Sequence, residues 1–473
     1  MPLPQAYRPS RLHADLGDEF YDSVEPARFP QHVLRYRNQE WAARVGLGEL
    51  TEAEWVAHFG AFEPLPGSFE QPLALRYHGH QFRNYNPDLG DGRGFLFAQL
   101  HDLRDGRVLD LATKGSGRTP WSRGGDGRLT LKGGVREVLA TATLEALGVY
   151  TSKSFSLIET GEALQRGDEP SPTRSAVLVR LSHSHIRIGT FQRLAALRDG
   201  AGIRRLLDHT VRGYMPQVWD AMPDMTRDDP GERAAAFLAE VCRRVAVLGA
   251  QWMAAGFVHG VLNTDNINVT GESFDYGPWR FLPTYDPAFT AAYFDHNGLY
   301  AYGRQPETLL WNLTRLAECL LPLAPQDALE AALEEFVPAY ERALDAAVLR
   351  RLGLWSRGAE ADAVLGRSLW QFLEASRAPF EQVFFDLYGN PPAPPGDTYR
   401  TEAFSALREA LSGYAGASRG HAYFAGNAPC TMLVDEVETI WEPIAADDDW
   451  SAFHAKLAGI ARMREAYGVL GCS

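Results

Sequence analysis

The run GFVHGVLNTDNINVTGESFDYG, residues 256–277, constrains this chain more than any other stretch. It follows an alanine-rich segment over 231–255 whose pattern predicts a long helix ending at Gly256. His259-Gly260, Asn266 and the triplet Asp275-Tyr276-Gly277 then stand in order, with the β-prone stretch INVTG between Asn266 and Asp275. A hard cation such as Mg²⁺ takes oxygen ligands, so one amide oxygen and one carboxylate can hold it against phosphate oxygens. A short strand between the two ligands would set them on neighbouring loops, and Gly277 lets the backbone turn after the carboxylate. The plain alternative is a polar surface loop, since Asn and Asp favour turns by themselves.

Upstream residues decide between the two. VLDLATK, 108–114, reads as a strand paired to GFLFAQL, 94–100, through a turn at Asp105-Gly106. Lys114 ends that strand. Glu137 lies in the next helical pattern, which carries Val135, Val138, Leu139, Ala142, Ala146 and Leu147 and stops at Gly148. A strand lysine, a helix glutamate, then H-G, an asparagine and D-Y-G is the order of a protein-kinase-like site, in which the lysine–glutamate pair aims the lysine at phosphates. One position departs from it. Val261 stands where a kinase carries its base, and valine accepts no proton. Asp265, beside Asn266, is the available substitute.

The segment GSGRTPWSRGGDGR, 115–128, interleaves Arg118, Arg123 and Arg128 with five glycines. Glycines allow close backbone approach and arginines supply bidentate charge, which together suit an anionic ligand. No GK[ST] follows, so this is not a Walker loop. GDGRG, 90–94, brings Gly90, Gly92 and Arg93, either as phosphate contacts or as a plain hairpin turn. Arg180 and Arg187 flank His183 and His185, which would share one face of a strand. With no further ligand nearby, those histidines are not read as a metal site.

The rest of the chain sets the frame. SFSLIET, 154–160, and SAVLVRL, 175–181, read as strands; helical patterns recur near 306–322, 326–349, 366–378, 400–412 and 449–466. The expected class is α+β, a protein-kinase-like bilobal fold: an N-terminal extension over 1–70 packed on the core, a sheet-containing N-lobe over 71–192, and a helical C-lobe over 193–473. Net charge is −14 over 473 residues, which disfavours nucleic acid as a partner. No apolar run reaches the ~20 residues of a membrane helix, and no apolar signal segment opens the chain, so a cytoplasmic protein without a membrane partner is expected. The four cysteines, Cys242, Cys319, Cys430 and Cys472, form no CxxC pair, which argues against a cysteine zinc site.

KGSGRTPWSRGGDGR (114–128), the VREVL helix start and HGVLNTDN…DYGP (259–278) resemble the selenoprotein O family of protein adenylyltransferases. The resemblance covers at least residues 70–310. It implies a kinase-like fold that binds ATP in a flipped orientation and transfers AMP to Ser, Thr or Tyr hydroxyls of protein substrates, releasing pyrophosphate. UTP is an alternative donor, and a monomer is expected. Motif by motif, it implies nucleotide contacts from Gly90, Gly92, Arg93, Lys114, Asp126, Gly127, Arg180, Arg187 and Asp275. It makes Asp265 the proton acceptor, Asn266 and Asp275 the ligands of Mg²⁺ or Mn²⁺, and Glu137 the partner of Lys114. The missing base at Val261 then makes sense, because the α-phosphorus is attacked rather than the γ. Family members often carry a redox-active residue near the C-terminus, and Cys472 is its counterpart. No cysteine stands between Cys242 and Cys319, so a bridge to the segment after Tyr276-Gly277 cannot form. Gly133-Gly134 replaces the small polar residues of many relatives and is expected to loosen the helix start. The alternatives are a phosphotransferase, which Val261 opposes, and a non-catalytic pseudokinase scaffold.

Overall fold

The computed structural model describes residues 6–468 except 168, 393 and 395. It is a mixed α/β chain built on one nine-stranded sheet and many helices. The sheet runs in the order Tyr21–Ser23, Leu73–Leu75, Leu96–His101, Val108–Lys114, Thr173–Ser182, Lys153–Leu164, Val33–Arg37. Pro9–Ser10 joins it against Leu96–His101, and Leu129–Thr130 against Thr173–Ser182, with every pairing antiparallel. Three strands from the first 37 residues are therefore part of the sheet itself.

The two-residue period of the Thr173–Ser182 strand sorts its side chains. Val177, Val179 and Leu181 pack with Trp41, Trp55, Phe59 and Phe155. Ala176 and Leu178 pack on the other face with Val135 and Val138 of the Leu131–Ala146 helix. Arg180 continues that second face. Leu178 pairs with Lys114 and Arg180 with Ala112, so Lys114 and Arg180 are diagonal neighbours on one face.

The Leu131–Ala146 helix begins firmly, against the expectation of a loosened start. Thr130 caps it by accepting the Gly133 N–H at 3.1 Å. Gly134 is a packing requirement, because a Cβ there would lie 2.4 Å from Leu157 Cδ1 on the sheet. The long helix spans Pro230–Ala254 and packs against Gln305–Leu320 and Phe336–Leu352. The helical pattern over 326–349 is two helices, Gln326–Glu334 and Phe336–Leu352. Pro338 explains the break: it cannot continue an earlier helix but fits the first turn of a new one. No helix among the described residues is long and apolar enough to cross a membrane. Cys242, Cys319 and Cys430 are free thiols, and Cys472 lies outside the described residues.

INVTG does not form the expected strand. Asn268 makes a single bridge to Arg187, and Ser273 one to Thr151. Asn268 breaks the ladder with its own side chain, giving its amide to the Ser184 carbonyl and accepting the Thr270 N–H at 3.1 Å. His183 and His185 lie beyond the strand end at Ser182. They separate, His183 Nδ1 to the Tyr150 hydroxyl at 2.7 Å and His185 Nδ1 to Asp110 at 3.2 Å.

Burial makes the fold acid-sensitive. It pushes the buried His13 and His183 down to about 4 and about 3, and His78, His80, His185, His209 and His259 also lie below the usual histidine value. The unfolded chain takes up these protons near pH 6.5 while the folded chain resists, so stability falls as pH drops through 6.5 toward 4. Burial raises Asp265, Glu272, Asp345 and Glu381, which oppose the trend above the ordinary carboxylate range but are outnumbered. Each fully refused proton costs about 1.4 kcal/mol per pH unit. A melting series should show a flat Tm above pH 7 and a falling one below 6.5; a Tm that rises toward pH 5 contradicts this balance.

Candidate active site

The residues singled out in the sequence come together in one cleft of about 510 Å³. Gly90, Gly92, Arg93, Lys114, Asp126, Gly127, Arg180, Arg187, Asp265, Asn266 and Asp275 all line it. Seven cationic side chains and four acidic ones face it, a local cationic excess in a chain of net charge −14. That balance suits an anionic ligand.

Asp275 is the electrostatic centre. Its Oδ1 accepts from Lys114 Nζ at 3.0 Å and from Arg180 Nη1 at 3.1 Å. Lys114 also pairs with Glu137, which is 1% exposed, so the strand lysine is fixed from the helix behind it. Burial pushes the Asp275 carboxyl up, but Lys114, Arg180, Arg93 and Arg187 together outweigh it and hold it well below the usual range. The backbone of Asp275 is left-handed, with φ 62°, a conformation Asp tolerates better than most residues.

Asp265 has the opposite environment. It sits in a one-turn 3₁₀ segment, Thr264–Asn266. Thr264 pins that turn by accepting the His80 N–H at 2.7 Å and donating to Gln192 at 2.6 Å. Gly79 closes over it so tightly that a Cβ would lie 2.9 Å from Asp265 Oδ1. That oxygen is buried with no hydrogen-bond partner among the described residues. Burial raises the carboxyl to about 6, with Arg187 pulling it back down. Asn266 gives its amide N–H to the Val261 carbonyl at 3.0 Å, which leaves its amide oxygen as an acceptor. Val261 thus contributes its backbone to the site in place of a side chain.

The glycines have local reasons. A Cβ on Gly90 would meet the Trp121 ring at 2.4 Å, and one on Gly127 would lie 2.2 Å from the Gly117 carbonyl oxygen. Gly260 has φ 83°, and a Cβ there would fall 1.9 Å from the Pro278 carbonyl oxygen, directly after Asp275-Tyr276-Gly277. The HG and DYGP elements are therefore one contact. Gly260→Ala should destabilise the protein by at least about 2 kcal/mol through backbone strain and this clash. Thermal unfolding measures it, and an unchanged Tm would contradict the contact.

Asp91, Tyr77 and Arg166 also line the cleft and lie outside the set named from the sequence. Arg187, 3% exposed, reaches Asp91 at 3.3 Å and stacks 4.0 Å from the Tyr77 ring centre. Asp91 was visible inside GDGRG, between two glycines already noted. Arg166 pairs with Asp126 at 2.7 Å from the turn between two paired strands, and no local pattern marks it. Arg128 is held by Glu162 at 2.6 Å.

Among the described residues no group of three or more His, Cys, Asp or Glu is placed to hold a metal. Asn266 and Asp275 fit a lighter demand. Mg²⁺ commonly takes one or two protein oxygens and completes its shell with water and substrate phosphates.

The model of the family described as protein adenylyltransferase SelO matches residues 5–394. The chain belongs to the SelO family. It is 46% identical over 476 residues to a protein nucleotidyltransferase YdiU of Gloeobacter violaceus, covering 96% of this chain and 95% of that one. A protein of the same name from Synechocystis sp. is 43% identical, covering 93% and 94%, and one from Methylorubrum extorquens is 37% identical, covering 96% and 93%. This SelO-family chain is an enzyme of the nucleotidyltransferase class. The scaffold alternative, a pseudokinase without catalysis, is thereby set aside.

Proposed function

We propose that the cleft binds ATP with Mg²⁺ or Mn²⁺ and transfers AMP to Ser, Thr or Tyr hydroxyls of protein substrates, releasing pyrophosphate. In this reading residues 71–192 and 193–473 act as the two lobes of a kinase-like fold, with residues 1–70 buttressing the first. The observation that carries it is the cationic cleft that brings Asp265 together with seven Lys and Arg side chains. An acceptor with its carboxyl raised toward neutrality is what a general base requires.

The substrate hydroxyl oxygen attacks the α-phosphorus, and the bond from that phosphorus to the bridging oxygen of the β-phosphate breaks. The hydroxyl proton passes to Asp265. Arg93, Lys114, Arg180 and Arg187 stabilise the charge that builds on the departing pyrophosphate. Gly90, Gly92, Asp126 and Gly127 shape the wall beside the nucleotide. Asn266 and Asp275 would hold the cation, which when bound would neutralise phosphate charge. Glu137 keeps Lys114 aimed into the cleft.

ATP labelled separately at the α and γ positions tests the proposal. The α label should reach a protein substrate and the γ label should leave as pyrophosphate. Label reaching protein from the γ position alone would sink the reading in favour of phosphoryl transfer.

A further inference from the structure

A second cavity, of about 710 Å³, shares no lining residue with the cleft just described. Its size is that of a small-molecule site. Four arginines, Arg107, Arg243, Arg244 and Arg350, line it against one carboxylate, Glu240. Arg243 and Arg244 share Glu240 at 3.1 and 2.7 Å. Arg107 is held by Asp105 at 3.1 Å and donates to the Tyr150 hydroxyl, also at 3.1 Å. Gly148 makes room for the guanidinium of Arg350, since a Cβ there would lie 2.5 Å from its central carbon.

Part of the remaining wall is apolar and aromatic, from Val247, Leu248 and Tyr467, beside the polar Gln251, Thr270 and His183. Val247 is 41% exposed although it lies well inside the Pro230–Ala254 helix. Arginines gathered beside an apolar wall match a ligand with a charged head and a flat or apolar body. A phosphate ester carries about −1.5 to −2 charges at neutral pH and accepts the paired donors of guanidinium groups.

We propose that this cavity is a second binding site, for a small organic phosphate with an aromatic or apolar body, and that its occupancy is coupled to the nucleotide cleft. The coupling follows from its walls. Thr270 and Gly271 belong to the loop that joins Asn266 to Asp275. The Tyr150 carbonyl accepts the Ser273 N–H at 2.9 Å, two residues before Asp275. His183, also in the wall, stands between Arg180 and Arg187, and its N–H is taken by Glu272 at 2.7 Å. A ligand that orders these walls orders the loops carrying Asp275, Arg180 and Arg187. Binding itself does not depend on the proposed function; the coupling rests on that reading of the cleft.

The experiment titrates phenyl phosphate, inorganic phosphate and phenol into the full chain by calorimetry. It compares the unaltered chain with Val247→Glu, Arg244→Ala and Lys114→Ala. Phenyl phosphate should bind at one site, more tightly than either fragment. Lys114→Ala should retain that binding, while Val247→Glu and Arg244→Ala should lose it and keep their affinity for an ATP analogue. Saturating phenyl phosphate should shift the analogue's affinity at least about fivefold, and the analogue should shift phenyl phosphate by the same factor. Binding lost in Lys114→Ala but kept in the other two would place the probe in the cleft and overturn the second site. No binding at millimolar concentration overturns it as well, and binding with no reciprocal shift overturns the coupling.

Discussion

Asp275→Ala should lower AMP transfer by on the order of 10³-fold and lower the melting temperature as well. Both effects come from one carboxylate oxygen. Lys114 and Arg180 meet on Asp275 Oδ1 at 3.0 and 3.1 Å. Lys114 keeps Glu137 when Asp275 is removed. Arg180 is 6% exposed and loses its ion pair, while Arg93 and Arg187 remain close enough to add to the positive field. Breaking one side of a buried pair costs about 3 kcal/mol, because the other charge stays buried. The substitution also removes one of the two proposed protein ligands of the cation. An ATP-dependent labelling assay and a melting curve on the same preparation check both effects. Activity within tenfold of the unaltered enzyme would remove Asp275 from the chemistry. A lost activity with an unchanged Tm would show that the ion pairs contribute nothing to the fold.

Asp265→Asn should separate these two quantities. The rate should fall by about 10²- to 10⁴-fold, the usual contribution of a general base. Stability should hold or rise. Asp265 Oδ1 is buried without a partner among the described residues, and burial raises its carboxyl to about 6. A raised folded-state value means that ionising the group costs the folded protein, and at pH 7 that cost is fully present. The neutral amide has nearly the same shape and no charge to desolvate. Two acids in one cleft thus give opposite stability outcomes because their surroundings differ: four cations act on Asp275, whereas Gly79 and a tight turn close on Asp265. A variant that keeps its rate would exclude Asp265 as the base. A variant that melts well below the parent would show an unseen partner for the carboxylate.

Much of the local structure was legible because it depends on near neighbours in the chain. The Val108–Lys114 strand coincides with the stretch VLDLATK, and the Leu131–Ala146 helix follows its apolar spacing up to Gly148, which has φ 78°. Local pattern failed where distant side chains intervened. INVTG has strand composition, yet Asn268 spends its side chain on Ser184 and on its own turn, so no ladder forms. Gly134 looked like a weak point in a helix, and contact with Leu157 turns it into the position that lets helix and sheet approach.

The sequence by itself determined the chemical kit: which residues can hold phosphate, bind a cation or take a proton, and the order in which they occur. That much follows from residue type and spacing, which survive any folding. The tertiary structure alone decided their charge states. Asp275 is held ionised by Lys114, 161 residues away, and by Arg180, 95 residues away. Asp265 is pushed toward neutrality by burial, with Gly79 of the Gly79–Gln81 strand packed on its carboxylate. A carboxyl's proton affinity is set by the burial and charges within a few ångströms of it, and those neighbours come from parts of the chain that only the fold brings together.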